Sequence, residues 1–125
     1  MTPKTIAIDF DGVIHSYTSG WTGEVPSDPP VTGAKEFIEE ARAQGYRVEV
    51  FTCRALTEDG YCGIVDWLKQ HGIVVDNITS EKPHAQIYID DRAWRFDGKW
   101  ATLLLFVRSK QMPKVWYKNN VPDGT

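Results

Sequence analysis

The sequence predicts an α/β fold: a Rossmann-like three-layer sandwich with a mainly parallel central sheet and no cap domain. Three observations predict it. Short apolar runs, too short to be helices, alternate with stretches of helical periodicity. Each strong run ends in residues suited to a tight turn or a site: Asp9-Phe10-Asp11-Gly12, Thr52-Cys53-Arg54 and Asp90-Asp91. Buried strands joined through amphipathic helices belong in a parallel sheet covered on both faces, which binds ligands at the carboxyl ends of its strands.

Thr5-Ile6-Ala7-Ile8 is the first strand, stopped by the acidic turn. Segment 15–32 is crowded with Ser, Thr, Gly and Pro and reads as a long loop. Loops of that length are uncommon in compact domains and are often functional, so it is a candidate flap or lid. Ala34, Phe37, Ile38 and Ala41 fall at helical spacing, and Gly45 suits the helix end. Val48, Val50 and Phe51 form the second strand. Tyr61, Ile64, Val65 and Leu68 share a face of the second helix, which Gly72 ends. Ile73 to Ile78 reads as a weaker third strand with a candidate break at Asp76-Asn77, and Gln86 to Ile89 as a fourth. Asp97-Gly98 marks a turn. Trp100, Leu103, Leu104 and Val107 favour a third helix, with a strand over Leu103 to Val107 as the alternative. The tail, 111–125, is punctuated by Pro and Asn and is expected to be irregular.

With 125 residues the chain is expected to form one domain over 1–125, large enough to bury a core without staples. It is 42% apolar and 25% charged, an ordinary globular balance. A net charge of −3 gives no bulk reason to expect a nucleic-acid or anionic-membrane binder. No apolar run approaches the ~20 residues needed to cross a bilayer. Met1 to Phe10 lacks the pattern of a secretory leader. Cys53 and Cys62 are one weak candidate pair and do not argue for an oxidising compartment. The expectation is a soluble, cytoplasmic protein with no membrane partner.

The chemistry collects at the strand ends. Asp9 and Asp11 follow the first strand, Thr52 and Arg54 the second, Asp90 and Asp91 the fourth; Lys82 lies on the loop leading into the fourth. Four carboxylates on one rim repel one another unless a cation neutralises them. Mg²⁺ suits this set, because it takes one or two carboxylates and keeps waters for a substrate phosphate. Lys82, Arg54 and the Thr52 hydroxyl suit the phosphate. Gly12 permits a sharp turn and is expected to leave backbone N–H groups facing an anion. A carboxylate can also attack phosphorus directly. Asp11, two residues beyond Asp9 on an extended strand, points to the same side and could give and take a proton.

The set Asp9-Phe10-Asp11-Gly12-Val13, Val50-Phe51-Thr52, Lys82-Pro83 and Ile89-Asp90-Asp91 resembles the four motifs of the haloacid dehalogenase superfamily, in the family's order and over residues 5–91. The resemblance implies Mg²⁺-dependent phosphoryl transfer through an aspartyl-phosphate. It casts Asp9 as nucleophile and Asp11 as general acid/base, whose backbone carbonyl also binds Mg²⁺. Thr52 would bind phosphate, Lys82 would stabilise it and orient the nucleophile, and Asp90 and Asp91 would bind metal. Asp11 favours a phosphatase over a dehalogenase, which lacks that second Asp. Val13 stands where many members carry Thr. Neither the interval Asp11–Thr52 nor Thr52–Lys82 has room for a separate cap, so the site is expected to be open, which suits a large substrate or closure by a neighbouring subunit in a homo-oligomer.

The implied substrate is a phosphorylated small molecule. Arg54, Arg92 and the basic, aromatic stretch of Arg108, Lys110, Lys114, Trp116, Tyr117 and Lys118 raise a nucleotide or nucleic-acid end as an alternative. A regulator that binds phosphate or Mg²⁺ without turnover is a third reading. His15, a candidate proton shuttle after the first motif, is taken as a flap or satisfied structural residue, and Cys53 as structural.

Overall fold

The computed structural model describes residues 3–111. The order of elements is β1 (Thr5–Asp9), α1 (Ala34–Ala43), β2 (Arg47–Phe51), a 3-10 turn (Cys53–Leu56), α2 (Glu58–Gln70), β3 (Asn77–Thr79), β4 (Ile87–Ile89) and α3 (Trp100–Ser109). The four strands form one sheet in the order β3-β2-β1-β4, and every pairing is parallel. This is the α/β, Rossmann-like fold expected from the sequence. No helix among the described residues is long and apolar enough to cross a membrane.

The core lies on one face of the sheet. Ile6, Ile8, Val48 and Val50 alternate along β1 and β2 and bury against Ile38 and Ala41 of α1 and Ile64, Trp67 and Leu68 of α2. The pleat sends every second side chain to the same side, so the apolar set of each strand forms one continuous surface. The other face carries Ala7, Glu49, Asn77 and Tyr88 in one register row. There Glu49 accepts a 2.7 Å bond from Asn77. Asp9, two residues beyond Ala7, belongs to this second face and sits at the carboxyl edge opposite Phe51.

One expected boundary shifts, and one alternative is resolved. The third strand begins at Asn77, not Ile73. Gly72, at φ 67°, closes α2, and the Ile73 N–H returns to Leu68 O at 2.9 Å, so residues just after the helix cap it before the chain can pair with β2. Over 101–108 the chain is helical, which settles the alternative for helix. None of the residues of α3 is buried. Cys53 and Cys62 are both free and exposed. The tail beyond Gln111, with Lys114, Trp116, Tyr117 and Lys118, lies outside the described residues.

Candidate active site

The turn after β1 is closed by its own backbone. N–H groups of Val13, Ile14 and His15 all reach Phe10 O at 2.9–3.2 Å. Gly12 adopts φ 84°, a conformation that favours glycine, and its N–H donates to His15 O at 2.8 Å. The Gly12 N–H is thus engaged within the turn. The Phe10 N–H donates to Asp9 Oδ1 at 2.8 Å and orients that carboxylate.

Asp9, Asp90 and Asp91 come together at the carboxyl ends of β1 and β4, each offering an oxygen within 4.8 Å of the others. Burial first, then the charges of Asp90, Asp91 and Asp11, push the Asp9 carboxyl from 3.8 up to about 7. Its backbone bond from Phe10 opposes this without overcoming it. Asp90 Oδ1 accepts from the Arg92 N–H at 2.8 Å, which bends the chain after β4. Asp91 Oδ1 is buried and lacks a hydrogen-bond partner. A buried carboxylate oxygen without a donor is costly unless a cation or a proton meets it. Three carboxylates and an orphaned oxygen in one cluster fit a hard divalent ion with oxygen ligands.

Asp11 does not join them. Its carboxylate meets Arg54, whose Nε lies 3.0 and 2.8 Å from the two oxygens, and His15, whose Nδ1 lies 2.8 Å from Oδ1. The expected convergence of four carboxylates is therefore a cluster of three beside a paired fourth. Burial alone would raise the Asp11 carboxyl, but hydrogen bonds from His15 and Arg54 and their charge outweigh it and hold it below the ordinary carboxylate value. The His15 tautomer follows from geometry. Its Nε2 accepts the Asp28 N–H at 3.0 Å, so the ring proton sits on Nδ1 and is donated to Asp11. His15 is fully buried, stacked on Phe10 and edge-on to Trp67.

Arg54 is 4% exposed, not a guanidinium on an open rim. Besides Asp11 it donates to the carbonyls of Gly23 and Glu24 at 3.0 and 3.1 Å, and it lies 4.5 Å from the centre of the Trp21 ring. Its remaining nitrogen, Nη2, is buried without a partner. Thr52 is buried and its hydroxyl accepts the Arg54 N–H at 3.3 Å, capping the 3-10 turn. That bond uses an acceptor site and leaves the hydroxyl proton to give. Lys82 shares with Asp9 and Asp90 a cleft of about 660 Å³, but its ammonium rests 4.6 Å from the centre of the Tyr88 ring. Another cleft, of about 610 Å³, opens beside Arg42, Tyr46 and Asp76 near the amino ends of the strands, away from the cluster.

The long loop is tied to the body at many points. Asp28 takes the Ser19 N–H at 2.9 Å and the Ser19 hydroxyl at 2.6 Å, and its carbonyl takes Trp67 Nε1 at 2.9 Å. Glu24 takes the Thr57 hydroxyl at 2.9 Å. Sequence reasoning missed His15 as a partner of Asp11, and missed Asp28 altogether. The spacing of His15 four residues after Asp11, across a glycine turn, was the available signal for the first.

Comparison with known proteins adds a fold likeness. A solved structure of a conserved protein from Bacteroides thetaiotaomicron is 21% identical, with a TM-score of 0.55 over 89% of this chain and 94% of that one. The likeness is one of fold. No family model matches the sequence. No curated protein matches it either.

Proposed function

We propose that the protein is a Mg²⁺-dependent phosphomonoester hydrolase of the haloacid dehalogenase kind, acting through an aspartyl-phosphate on Asp9. The observation that carries this is the Asp9–Asp90–Asp91 cluster at the carboxyl edge of a parallel sheet, with a buried oxygen of Asp91 lacking a donor. Asp9, Asp90 and Asp91 would hold the cation, which offsets their repulsion and the charge of the bound phosphate.

One oxygen of Asp9 is fixed by Phe10 N–H, which aims the carboxylate. Asp9 attacks phosphorus; the bond to the leaving oxygen breaks, and Asp11 in its protonated form gives that oxygen its proton. Water then attacks the aspartyl-phosphate, gives its proton to Asp11, and frees phosphate and Asp9. The pairing of Asp11 with Arg54 and His15 favours its ionised form, which suits the second half of that cycle. The Thr52 hydroxyl and Lys82 would hold phosphate oxygens, Lys82 by swinging from Tyr88 into the same cleft. Arg54 reads as support for Asp11, which removes one motive for the nucleic-acid alternative.

The test is hydrolysis of a panel of phosphomonoesters with and without Mg²⁺, in the native protein and in Asp9→Asn. Activity that requires Mg²⁺ and disappears in a folded Asp9→Asn protein is expected. Equal turnover in the variant would overturn the proposal.

A further inference from the structure

Trp21 sits on the loop between β1 and α1 and is 57% exposed. One face of its indole lies against the Arg54 guanidinium, 4.5 Å from the ring centre. The same guanidinium donates to both oxygens of Asp11. A single buried side chain thus connects an open aromatic surface to the carboxylate beside the acidic cluster.

The loop holds the indole there. Arg54 binds the Gly23 and Glu24 carbonyls, Glu24 binds Thr57, and the hydroxyls of Thr22 and Ser27 lie 2.8 Å apart. These ties flank Trp21 in sequence, and the residue stays 57% exposed. Exposed indole surface carries an apolar hydration cost that a partner would remove. A guanidinium behind the ring occupies the inner face by cation–π attraction, and leaves the outer face as a flat platform.

We infer that Trp21 stacks on a planar ring of the leaving group, so that the substrate is a phosphomonoester of a ring-bearing alcohol: a nucleoside monophosphate or an aryl phosphate. This rests on the phosphatase reading above. A group that exchanges the proton of the leaving oxygen must lie beside it. Asp11 has that role in the reading, and the surface reached from Asp11 through Arg54 is the indole. Stacking on an aromatic face is tolerant of which ring is presented, so Trp21 selects a class and not one compound.

The experiment measures kcat/KM with Mg²⁺ for adenosine 5′-monophosphate, p-nitrophenyl phosphate and glycerol 1-phosphate in the native protein, Trp21→Ala and Trp21→Phe. In Trp21→Ala the preference for the ring-bearing substrates over glycerol 1-phosphate falls about tenfold, through KM, and Trp21→Phe retains most of it. A fall for adenosine 5′-monophosphate alone assigns the platform to a nucleobase, and a fall for both assigns it to aromatic rings in general. A proportional loss on all three substrates overturns the inference, because Trp21 then serves only to hold Arg54. Absence of hydrolysis of any of them by the native protein overturns the phosphatase reading itself, and this inference with it.

Discussion

Arg54 grips Asp11 across 43 positions of sequence, its Nε 3.0 and 2.8 Å from the two carboxylate oxygens. The pair is shielded, Arg54 almost wholly and Asp11 with 23% of its side chain exposed. Removing one member leaves the other buried and uncompensated. Arg54→Ala is expected to destabilise the fold by about 2–3 kcal/mol, seen as a lower urea midpoint. Arg54→Lys is expected to recover part of this, since it restores the charge but not the planar fork. A midpoint within error of native in Arg54→Ala would contradict the pair's structural weight.

Gly60 lies where α2 begins, directly against Arg54. A Cβ built there falls 2.0 Å from the Arg54 backbone carbonyl oxygen, a contact that backbone cannot absorb without shifting. Gly60→Ala is expected to cost about 3 kcal/mol and to displace the 3-10 turn that carries Arg54. Thermal unfolding measures the first effect. If Gly60→Ala melts like the native protein, the close approach of α2 to that turn is wrong.

Asp76 joins α1 to β2. It takes the Val48 N–H at 2.8 Å and Arg42 at 3.2 and 3.3 Å. Burial pushes its carboxyl up, but bonds from Arg42 and the Val48 N–H, with the charges of Arg42 and Arg47, bring it below the ordinary 3.8. A carboxyl lowered in the folded state adds stability that is present above its unfolded value and lost as pH falls through the folded one. Asp76→Ala should therefore cost about 1–3 kcal/mol at neutral pH and progressively less as pH falls below the ordinary 3.8. A cost independent of pH would show that the carboxylate charge plays no part.

Asp9 works in the opposite direction. Its carboxyl is raised from 3.8 to about 7 by burial and by its acidic neighbours, so the folded state keeps a proton that the unfolded state has released. In chelator, that contribution is complete below about pH 3.8 and is lost as pH rises towards 7. The melting temperature of Asp9→Asn is expected to gain on native over this window, and Mg²⁺ is expected to raise native more than the variant. Parallel pH curves, with and without Mg²⁺, would contradict the burial and repulsion that raise the Asp9 carboxyl.

Much of the fold was legible because local pattern and global position agree. The run Thr5 to Ile8 is buried on both faces at the centre of the sheet, and its apolar character announces that. Asp9, Asp90 and Asp91 were legible as a group because a parallel sheet brings the carboxyl ends of its strands to one edge. Spacing along the strand placed Asp11 beside Asp9, but a partner 43 residues away decides where its carboxylate goes. Gly12 was recognisable as a turn, whereas the destination of its N–H depends on how His15 folds back. Ile73 carries strand-like character that capping of α2 overrides. Apolar residues at helical spacing located α3, and the same pattern said nothing about what it packs against.

The acidic cluster also spans a seam in the sheet. Asp9 ends β1, which has neighbours on both sides, while Asp90 and Asp91 follow β4, a three-residue strand at the edge. Short edge strands open before central ones, so amide exchange in Ile87–Ile89 should outpace that in Thr5–Asp9. A ligand gripping both sides of the seam would act as a clasp, slowing exchange in β4 towards the rate of β1. Occupancy of the site and integrity of the sheet's edge are then two readings of one equilibrium.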